Sequence, residues 1–492
     1  MAGETGAGHP DPTELDTGPC ASGPTPGPLG IDTAPLTRFH RKLTVYSAGG
    51  PLLDGYVLGI IGLTLTQITP QWHLSPSWQG VLGASALIGL FLGGLLGGYV
   101  TDLIGRQVMY TLDLSLVVVC SVAQFFVAGP WWLLVLRLLV GMAVGADYPI
   151  ATSLLAEFAP RRHRGSMLGW LTVMWAVGNA VAYLVGDALL ALGPDAWRWM
   201  LLSPAVPAAL LMLGRLGTPE SPRWLLSKGR VAEARAALAK ALGPEARLDD
   251  LGEPEAPTSL RSLGQGVYLR RTVFVAVFWT CSIWPIYAIY AFGPAMLTAF
   301  GLTGEGADTL GSAAIGVLFI IGCAGATLLA NRWPRRRLLI GPFAVSTVAL
   351  LLLGVFPAAP VPVIVVLFTV YAVAVGGPTI LQWVYPNELF PTSVRATAVG
   401  LGTTVSRIGA ALGTFVTPLL LAGAGIGPTM LLAGAVSAVG VLVCVLMAPE
   451  TRAGSLSEVS GAEVGGGAVG SGAVGSGAVV GSGEVSRGEP TR

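Results

Sequence analysis

Long runs of apolar residues, separated by shorter polar connections, dominate the sequence. Twelve such runs of roughly 18 to 27 residues follow one another along the chain. Each run is long enough to cross a hydrocarbon core of about 30 Å as an α-helix. The predicted spans are 43–68, 79–100, 107–127, 131–156, 165–191, 199–216, 272–299, 308–330, 338–356, 361–385, 397–422 and 428–447. The pattern therefore predicts an all-α membrane protein with twelve transmembrane helices.

The longest polar connection divides these spans into two sets of six. It includes GRVAEARAALAKAL, an alanine-rich amphipathic helix with several charges. We therefore predict a six-helix half over 37–216, a linker over 217–271 and a second six-helix half over 272–448. The flanking segments 1–36 and 449–492 hold much glycine and few large apolar residues, so we expect disordered tails.

The two halves share an internal repeat. The stretch from Arg137 to Gly169 recurs 231 residues later, from Phe368 to Gly400. The repeated positions are Gly145 and Gly376, Glu157 and Glu388, Pro160 and Pro391, Arg164 and Arg395, and Gly169 and Gly400. Internal repeats with a substrate site at their interface are typical of secondary transporters. The repeat therefore favours a transporter that arose by duplication.

Composition excludes several classes of protein. Charged residues make up 11% of the chain, against about a quarter in soluble proteins, and a net charge of +1 indicates no nucleic-acid partner. The five cysteines lack metal-ligand spacing, and the four histidines lie in tails or predicted loops. The sequence contains no phosphate-binding or nucleophile motif, so we predict neither an enzyme nor a cofactor or metal site.

The distribution of lysine and arginine predicts the orientation in the membrane. Cations fill alternate connections, whereas the intervening connections hold one, Arg198. Cytoplasmic loops carry an excess of these residues. Both termini and the linker are therefore expected on the cytoplasmic side of the plasma membrane.

Short motifs lie at the ends of several spans. The segment GGYVTDLIGRQ after the second span contains Gly98, Asp102, Gly105 and Arg106 in a G-x-x-x-D-x-x-G-R pattern. Further motifs are Arg137-x-x-x-Gly141-x-x-x-Gly145 in the fourth span, PESPRWLL at 219–226, NELFPTSVRATAVG at 387–400 and PETRAGSL at 449–456. Together they resemble the major facilitator superfamily, and within it the sugar-porter-like branch. The resemblance implies two pseudo-symmetric six-helix halves and transport by alternating access.

The seventh span departs from the sugar-porter pattern. It reads FWTCSIWPIYAIYAFGPAM and lacks the pair of glutamines usual in that branch. The segments 145–149 and 387–391 look more like those of phosphate, aromatic-acid and organic-ion carriers. The resemblance therefore leaves the solute open among sugars, polyols and organic acids or ions. Symport with protons is the leading expectation, with an efflux antiporter or a non-transporting substrate sensor as alternatives.

Charged residues inside the predicted spans are the candidates for proton coupling. Asp54 lies about eleven residues into the first span, near the bilayer centre, where a charged side chain costs about 3 kcal/mol. Arg137, in the same half, is its expected partner. Asp147 is the second candidate, and the alternative is a carboxylate at the cytoplasmic end of the fourth span that a loop arginine satisfies.

Aromatic and amide side chains are the candidates for solute binding. Trp279, Ile283, Tyr287 and Tyr290 form a stripe at helical spacing on the seventh span, which also contains two prolines able to free backbone groups. Such a stripe also suits helix packing, so both interpretations stay open. The predicted solute-binding residues are Tyr148, Asn179, Trp284, Tyr287, Tyr290, Gln382 and Trp383.

Acids and arginines at the cytoplasmic ends of the spans are predicted to form a gate. The set consists of Asp102, Gly105, Arg106, Glu157, Arg162, Arg164, Glu220, Arg223, Glu388 and Arg395. Ion pairs among them would join the halves when the inner side is closed, whereas simple anchoring of loops is the alternative. The glycines at 94, 98, 141 and 145 are expected to let helices approach closely. The expected partners are a small solute, protons and the lipid bilayer, and we expect a monomer.

Overall fold

The computed structural model describes residues 3, 37–158, 164–215, 220–242, 265–302, 307–330, 332–390 and 392–451. Apart from Gly3, the predicted tail 1–36 lies outside these ranges. Residues 243–264 of the linker and 452–492 of the second tail also lie outside them.

The described chain is helical throughout its spans. The helices, in chain order, are α1 (Arg38–Trp72), α2 (Pro76–Ile104), α3 (Arg106–Phe125), α4 (Pro130–Phe158), α5 (Arg164–Leu190), α6 (Ala196–Leu202), α7 (Ala205–Arg215), α8 (Pro222–Ser227), α9 (Val231–Leu242), α10 (Gly266–Ala299), α11 (Ala307–Ala330), α12 (Arg335–Val355), α13 (Val361–Ala374), α14 (Gly376–Leu389), α15 (Thr392–Gly423) and α16 (Ile426–Met447).

Twelve of the described segments are long and apolar enough to cross a membrane, which confirms the predicted number. The sixth span consists of α6 and α7, which meet at Ser203 and Pro204, and the tenth consists of α13 and α14, which meet at Val375. The amphipathic helix expected in the linker is α9. Because twelve is even, Thr37 and Thr451 lie on the same side of the bundle, which we call the termini side.

The packing of the helices repeats from one half to the other. In the first half α2 packs on α4 and α1 packs on α5. In the second half the equivalent pairs are α11 with α13 and α14, and α10 with α15. The halves meet where α2 packs on α15 and α5 packs on α11, and these two contacts are also equivalent under the repeat. The structure therefore confirms the duplicated architecture predicted from the sequence.

Glycines set the closest helix contacts within each half. A Cβ atom added to Gly141 or Gly145 of α4 would lie 2.1 Å or 2.3 Å from a backbone carbonyl oxygen of α2. In the second half, a Cβ on Gly376 would lie 2.4 Å from the backbone of Gly322. The predicted packing role of Gly141 and Gly145 is confirmed, and Gly376 shows that the repeat preserves it.

The halves are in contact at the end opposite the termini side. A Cβ on Gly80, near the start of α2, would lie 2.5 Å from the Phe415 carbonyl oxygen of α15. A Cβ on Gly62 of α1 would lie 2.9 Å from the Ala291 carbonyl oxygen of α10. Such contacts leave no room for a solute to pass between these helices. The structure is therefore closed on the side opposite the termini.

Candidate functional site

A cavity of about 50 Å³ lies between the two halves. Its walls come from five spans and combine aromatic, aliphatic and polar side chains. The lining residues are Pro51 of α1, Leu171, Thr172 and Trp175 of α5, Trp279, Ile283, Ile286 and Tyr287 of α10, Thr379, Gln382 and Trp383 of α14, and Arg407 of α15. Since a buried water needs about 10–15 Å³, the space holds about three to five waters. A solute the size of a sugar therefore requires the site to expand.

Three of the predicted solute-binding residues line this cavity: Tyr287, Gln382 and Trp383. The amide of Gln382 donates to the Ser282 hydroxyl at 2.6 Å, which fixes its orientation. Trp383 packs edge-on against Trp279, with ring centroids 5.1 Å apart. The stripe on the seventh span therefore faces the cavity at Trp279, Ile283 and Tyr287.

The remaining predicted residues lie elsewhere. Trp284 borders a separate cavity of about 10 Å³ beside α15 and α16, because it points about a quarter turn away from Ile283. Asn179 contacts the Gly55 carbonyl of α1 at 3.5 Å. Tyr290 lies behind the cavity wall, with its ring 5.5 Å from that of Trp175. The side chain of Tyr148 is outside the part of the molecule that the structure describes.

Pro294 disrupts α10 about two turns beyond Tyr287, the last residue of this helix in the cavity wall. Phe292 has non-helical backbone angles (φ −126°, ψ 20°) two residues before this proline. Because proline has no N–H, the carbonyl of Tyr290 loses its usual helical donor. The Tyr183 hydroxyl of α5 donates to that carbonyl at 2.5 Å. The backbone group expected to be freed for a ligand is therefore used in contact between the halves.

Asp54 is buried at mid-depth in α1, as predicted. Its Oδ2 accepts a hydrogen bond from Nε1 of Trp175 at 2.9 Å. Arg137 is also buried, but its guanidinium donates to the Ser85 hydroxyl at 3.3 Å and to the Val57 carbonyl at 3.4 Å. The expected pairing of Arg137 with Asp54 is therefore absent from this conformation, because Arg137 reaches α1 almost one turn further along, at its backbone.

Asp147 has an arginine partner that was not predicted. Its two carboxylate oxygens accept from the guanidinium of Arg215, the last residue of α7, at 2.6 Å and 3.2 Å. Both side chains are about 95% buried. Arg215 also donates to the Tyr46 carbonyl at 2.9 Å and lies 4.1 Å from the centroid of the Tyr110 ring. The geometry agrees with the alternative of a carboxylate satisfied by an arginine at the termini side.

The sequence reasoning missed several cavity residues, and two of them, Arg407 and Trp175, make contacts that bear on function. Arg407 is buried in α15, and its guanidinium donates to the Tyr287 hydroxyl. Trp175, the partner of Asp54, lies on α5 with its ring centroid 5.4 Å from that of Tyr287. Arg407 carried a readable signal, since it stands about ten residues inside the predicted span 397–422. Trp175 had none beyond being an aromatic residue in an apolar run.

Two of the predicted gate residues, Glu220 and Arg106, form a contact that other residues repeat in the second half. Glu220 accepts from the backbone N–H groups of Arg106 and Gln107, both at 3.0 Å, at the start of α3. Glu450 accepts in the same way at the start of α12, from Arg335 at 3.0 Å and Arg336 at 3.2 Å. A carboxylate at a helix N-terminus satisfies orphan N–H groups and the helix dipole. These contacts bind the end of each half to its own third helix.

Gly105 precedes α3 with a φ of +101°, a conformation that disfavours other residues. A Cβ at this position would also lie 2.8 Å from the Glu220 carboxylate. Glycine is therefore required for both the backbone turn and the carboxylate contact.

Glu388 contacts Arg335 at 3.1 Å and also accepts from the Thr451 hydroxyl, all within the second half. Arg162 lies outside the described residues. The side chains of Asp102, Glu157, Arg164, Arg223 and Arg395 are also outside them. The predicted ion pairs of these gate residues between the two halves, in another conformation of the protein, stay a prediction.

Comparison with known proteins identifies the family. Residues 42–462 match the family model described as "Sugar (and other) transporter". The chain belongs to this transporter family. It is 44% identical over 430 residues to YaaU of Escherichia coli strain K12, a protein named for metabolite transport, covering 87% of this chain and 96% of YaaU. It is 40% identical over 426 residues to the inner membrane metabolite transport protein YgcS of the same organism, covering 87% and 95%.

Solved structures confirm the fold of this transporter. The partially occluded inward open conformation of the xylose transporter XylE from E. coli matches with a TM-score of 0.73 at 22% identity. The match covers 85% of this chain and all of XylE. The predicted superfamily and its twelve-helix fold are thereby confirmed, and the expectation that the protein is not an enzyme is confirmed by the family. The chain is a multi-pass protein of the plasma membrane.

Proposed function

We propose that this transporter is a proton symporter, which takes up a small polar organic solute by alternating access. The observation that carries the proposal is the position of Trp175. Its ring forms part of the cavity wall, and its N–H binds the buried carboxylate of Asp54. A solute in the cavity and a proton on Asp54 therefore both act on the Trp175 side chain.

Asp54 is the proton-carrying group in this proposal. A charged carboxylate is costly in an apolar span, and protonation removes that charge. When charged, Asp54 accepts a strong hydrogen bond from Trp175. Protonation weakens that bond and lets the Trp175 ring move with the solute. Arg137 holds the neighbouring turn of α1 and provides a positive charge when the helices shift.

Asp147 is the second proton group, although its bidentate pair with Arg215 favours an anchoring role. Both of its carboxylate oxygens are already used by the guanidinium of Arg215. Asp54 is therefore the first residue to test.

Alternating access requires both sides of the cavity to open in turn. Contacts between the halves close the side opposite the termini, and the small cavity corresponds to a contracted site. Rocking of the halves about their two equivalent interfaces would open it. The name of XylE in one solved structure, a proton:xylose symporter, is consistent with a proton-coupled mechanism on this fold.

The proposal is tested with Asp54→Asn in proteoliposomes. The wild-type protein should accumulate a radiolabelled solute when the outside is acidic, whereas Asp54→Asn should exchange solute without accumulating it, because the amide mimics the protonated acid. Asp195→Asn is the matched control, since that side chain is 75% exposed outside the spans. Equal accumulation by Asp54→Asn and the wild type would remove Asp54 from the mechanism. Accumulation driven only by the opposite gradient would indicate an efflux antiporter, and binding without flux would indicate a sensor.

A further inference from the structure

Arg407 places a positive charge in the wall of the solute cavity. It lies at the midpoint of α15, about sixteen residues from either end, and it is 5% exposed. Among the residues that line the cavity in the described structure, it is the charged one. Arginine stays charged under all ordinary conditions, and a charged side chain at mid-membrane is costly. Such a residue is therefore a candidate for function.

We infer that the transported solute carries a carboxylate, which Arg407 binds. This inference rests on the proposed transport function and specifies its substrate. The guanidinium group is planar and presents its donors in a fork that matches the two oxygens of a carboxylate. A neutral sugar offers only hydroxyl groups, which make weaker hydrogen bonds to a cation. Amide and hydroxyl side chains, rather than an arginine, would suffice for a neutral solute.

The charge balance around Tyr287 links this carboxylate to the transported proton. Arg407 contacts the Tyr287 hydroxyl, and the centre of its guanidinium lies 5.4 Å from the Tyr287 ring centroid. Asp54 is bound by Trp175, whose ring packs against the Tyr287 ring. Asp54 and Arg407 therefore lie at opposite ends of one chain of contacts, which runs through the rings of Trp175 and Tyr287. When Asp54 is protonated, an incoming carboxylate takes its place as the counter-charge of Arg407.

The other groups around Asp54 do not replace it in this exchange. Arg137 of α4 lies almost one turn along α1 at the Val57 carbonyl. The Asp147–Arg215 pair lies one turn in the other direction, beside Gly50. Tyr183 of α5 binds the Tyr290 carbonyl of α10. Because the solute carboxylate replaces the negative charge that Asp54 loses on protonation, we expect one proton to bind with each solute carboxylate.

The rest of the cavity indicates the body of the solute. Three tryptophans and Tyr287 offer flat apolar surfaces, which suit a ring or a short hydrocarbon skeleton. Thr172, Thr379 and Gln382 provide a few polar groups that can orient it. The solute class is therefore a small organic carboxylate, with its acid group at Arg407 and its body between the aromatic rings.

The inference is tested by binding to the purified protein, measured as thermal stabilisation and by isothermal titration. The probes are benzoate and gluconate as carboxylates with different bodies, and xylose and myo-inositol as neutral controls. A carboxylate should stabilise the wild type, and the neutral probes should not. Loss of a charge-assisted pair should weaken binding by about 10- to 100-fold in Arg407→Gln, with Arg407→Lys intermediate. Arg337→Gln, which changes an exposed arginine on α12, should bind as the wild type does.

Titration in buffers of different ionisation enthalpy gives the proton count. About one proton should be taken up per carboxylate in the wild type and none in Asp54→Asn, a result that a purely structural Arg407 would not produce. Stabilisation by neutral probes only, or by none of the probes, overturns the inference even if Arg407→Gln fails to fold. Carboxylate binding without proton-driven uptake would refute the transport proposal and leave the substrate class standing. Proton-driven uptake of a neutral sugar, with no carboxylate binding, would refute the carboxylate inference and leave the transport proposal standing.

Discussion

The buried pair of Asp147 and Arg215 allows a quantitative test of the packing in the first half. The change is Arg215→Gln, which removes the cation and leaves a buried carboxylate. Removing one partner of a buried ion pair costs about 3–5 kcal/mol. Arg215 also loses its contact with the Tyr110 ring at 4.1 Å and its bonds to the Tyr46 carbonyl. We therefore expect a loss of stability near the upper end of that range.

A second buried carboxylate lies in the same cluster and increases the expected effect. Asp113 of α3 is buried beside Asp147 and interacts electrostatically with both Asp147 and Arg215. Without Arg215, the two acids would share an apolar site in which the described residues provide no other adjacent cation. The double change Arg215→Gln with Asp147→Asn removes the charge of Asp147 as well and leaves two amides of similar shape. It should recover more than half of the loss.

The protein carries its own reporters for this measurement. Cys120, Cys281, Cys323 and Cys444 are all buried free thiols, so a dye that fluoresces on reaction with thiols follows unfolding in detergent. Cys20 is changed to serine in every variant to remove a background signal. At about 2 °C per kcal/mol for a domain of this size, Arg215→Gln should lower the melting temperature by roughly 8–10 °C.

The matched control is the ion pair of Arg230 and Glu233 on α9. It is also bidentate, at 2.8 Å and 2.5 Å, but both side chains are about half exposed. Arg230→Gln should therefore leave the melting temperature unchanged, because water replaces the lost partner. An unchanged melting temperature in Arg215→Gln would contradict the prediction. A double variant that is no more stable than Arg215→Gln would contradict it as well.

Two further predictions concern the gate and the helix contacts. Changing Asp102, Glu157 and Glu388 together to Asn, Gln and Gln should lower transport and increase labelling, from the termini side, of a cysteine placed in the cavity. Each single change should shift the conformational equilibrium only about fivefold, because each ion pair contributes about 1 kcal/mol. Unchanged labelling of a folded triple variant would show that these charges only anchor loops. Gly145→Val should abolish the yield of folded protein, because even its Cβ would lie 2.3 Å from the Leu90 carbonyl oxygen. The control Gly423→Val should fold normally, because an added Cβ at Gly423 meets no atom within 4 Å. A normal yield of Gly145→Val would contradict the close packing of α2 on α4.

The sequence by itself determined the membrane architecture of this protein. Crossing a bilayer depends on the apolar character of about twenty consecutive residues, which is a local property. All twelve spans were therefore predictable, although α1 extends from Arg38 to Trp72, beyond the predicted 43–68, because helical hydrogen bonds continue through polar residues. The internal repeat and the spacing of Gly141 and Gly145 could likewise be read directly from the order of residues along the chain. The stripe on α10 left packing and solute binding open, and Tyr287 lies in the cavity wall whereas Tyr290 does not.

Only the tertiary structure decided which charged side chains meet. Asp147 and Arg215 are 68 residues apart, and Asp54 meets Trp175 across 121 residues. Periodicity indicates which residues share a face of one helix, but it does not indicate how that helix is rotated or at what depth it packs against another. Arg137 and Asp54 lie in neighbouring helices of one half, and a shift of less than one turn between them separates their side chains. Arg407 joins the cavity for the same physical reason, because the contact between α15 and α10 turns its guanidinium toward Tyr287.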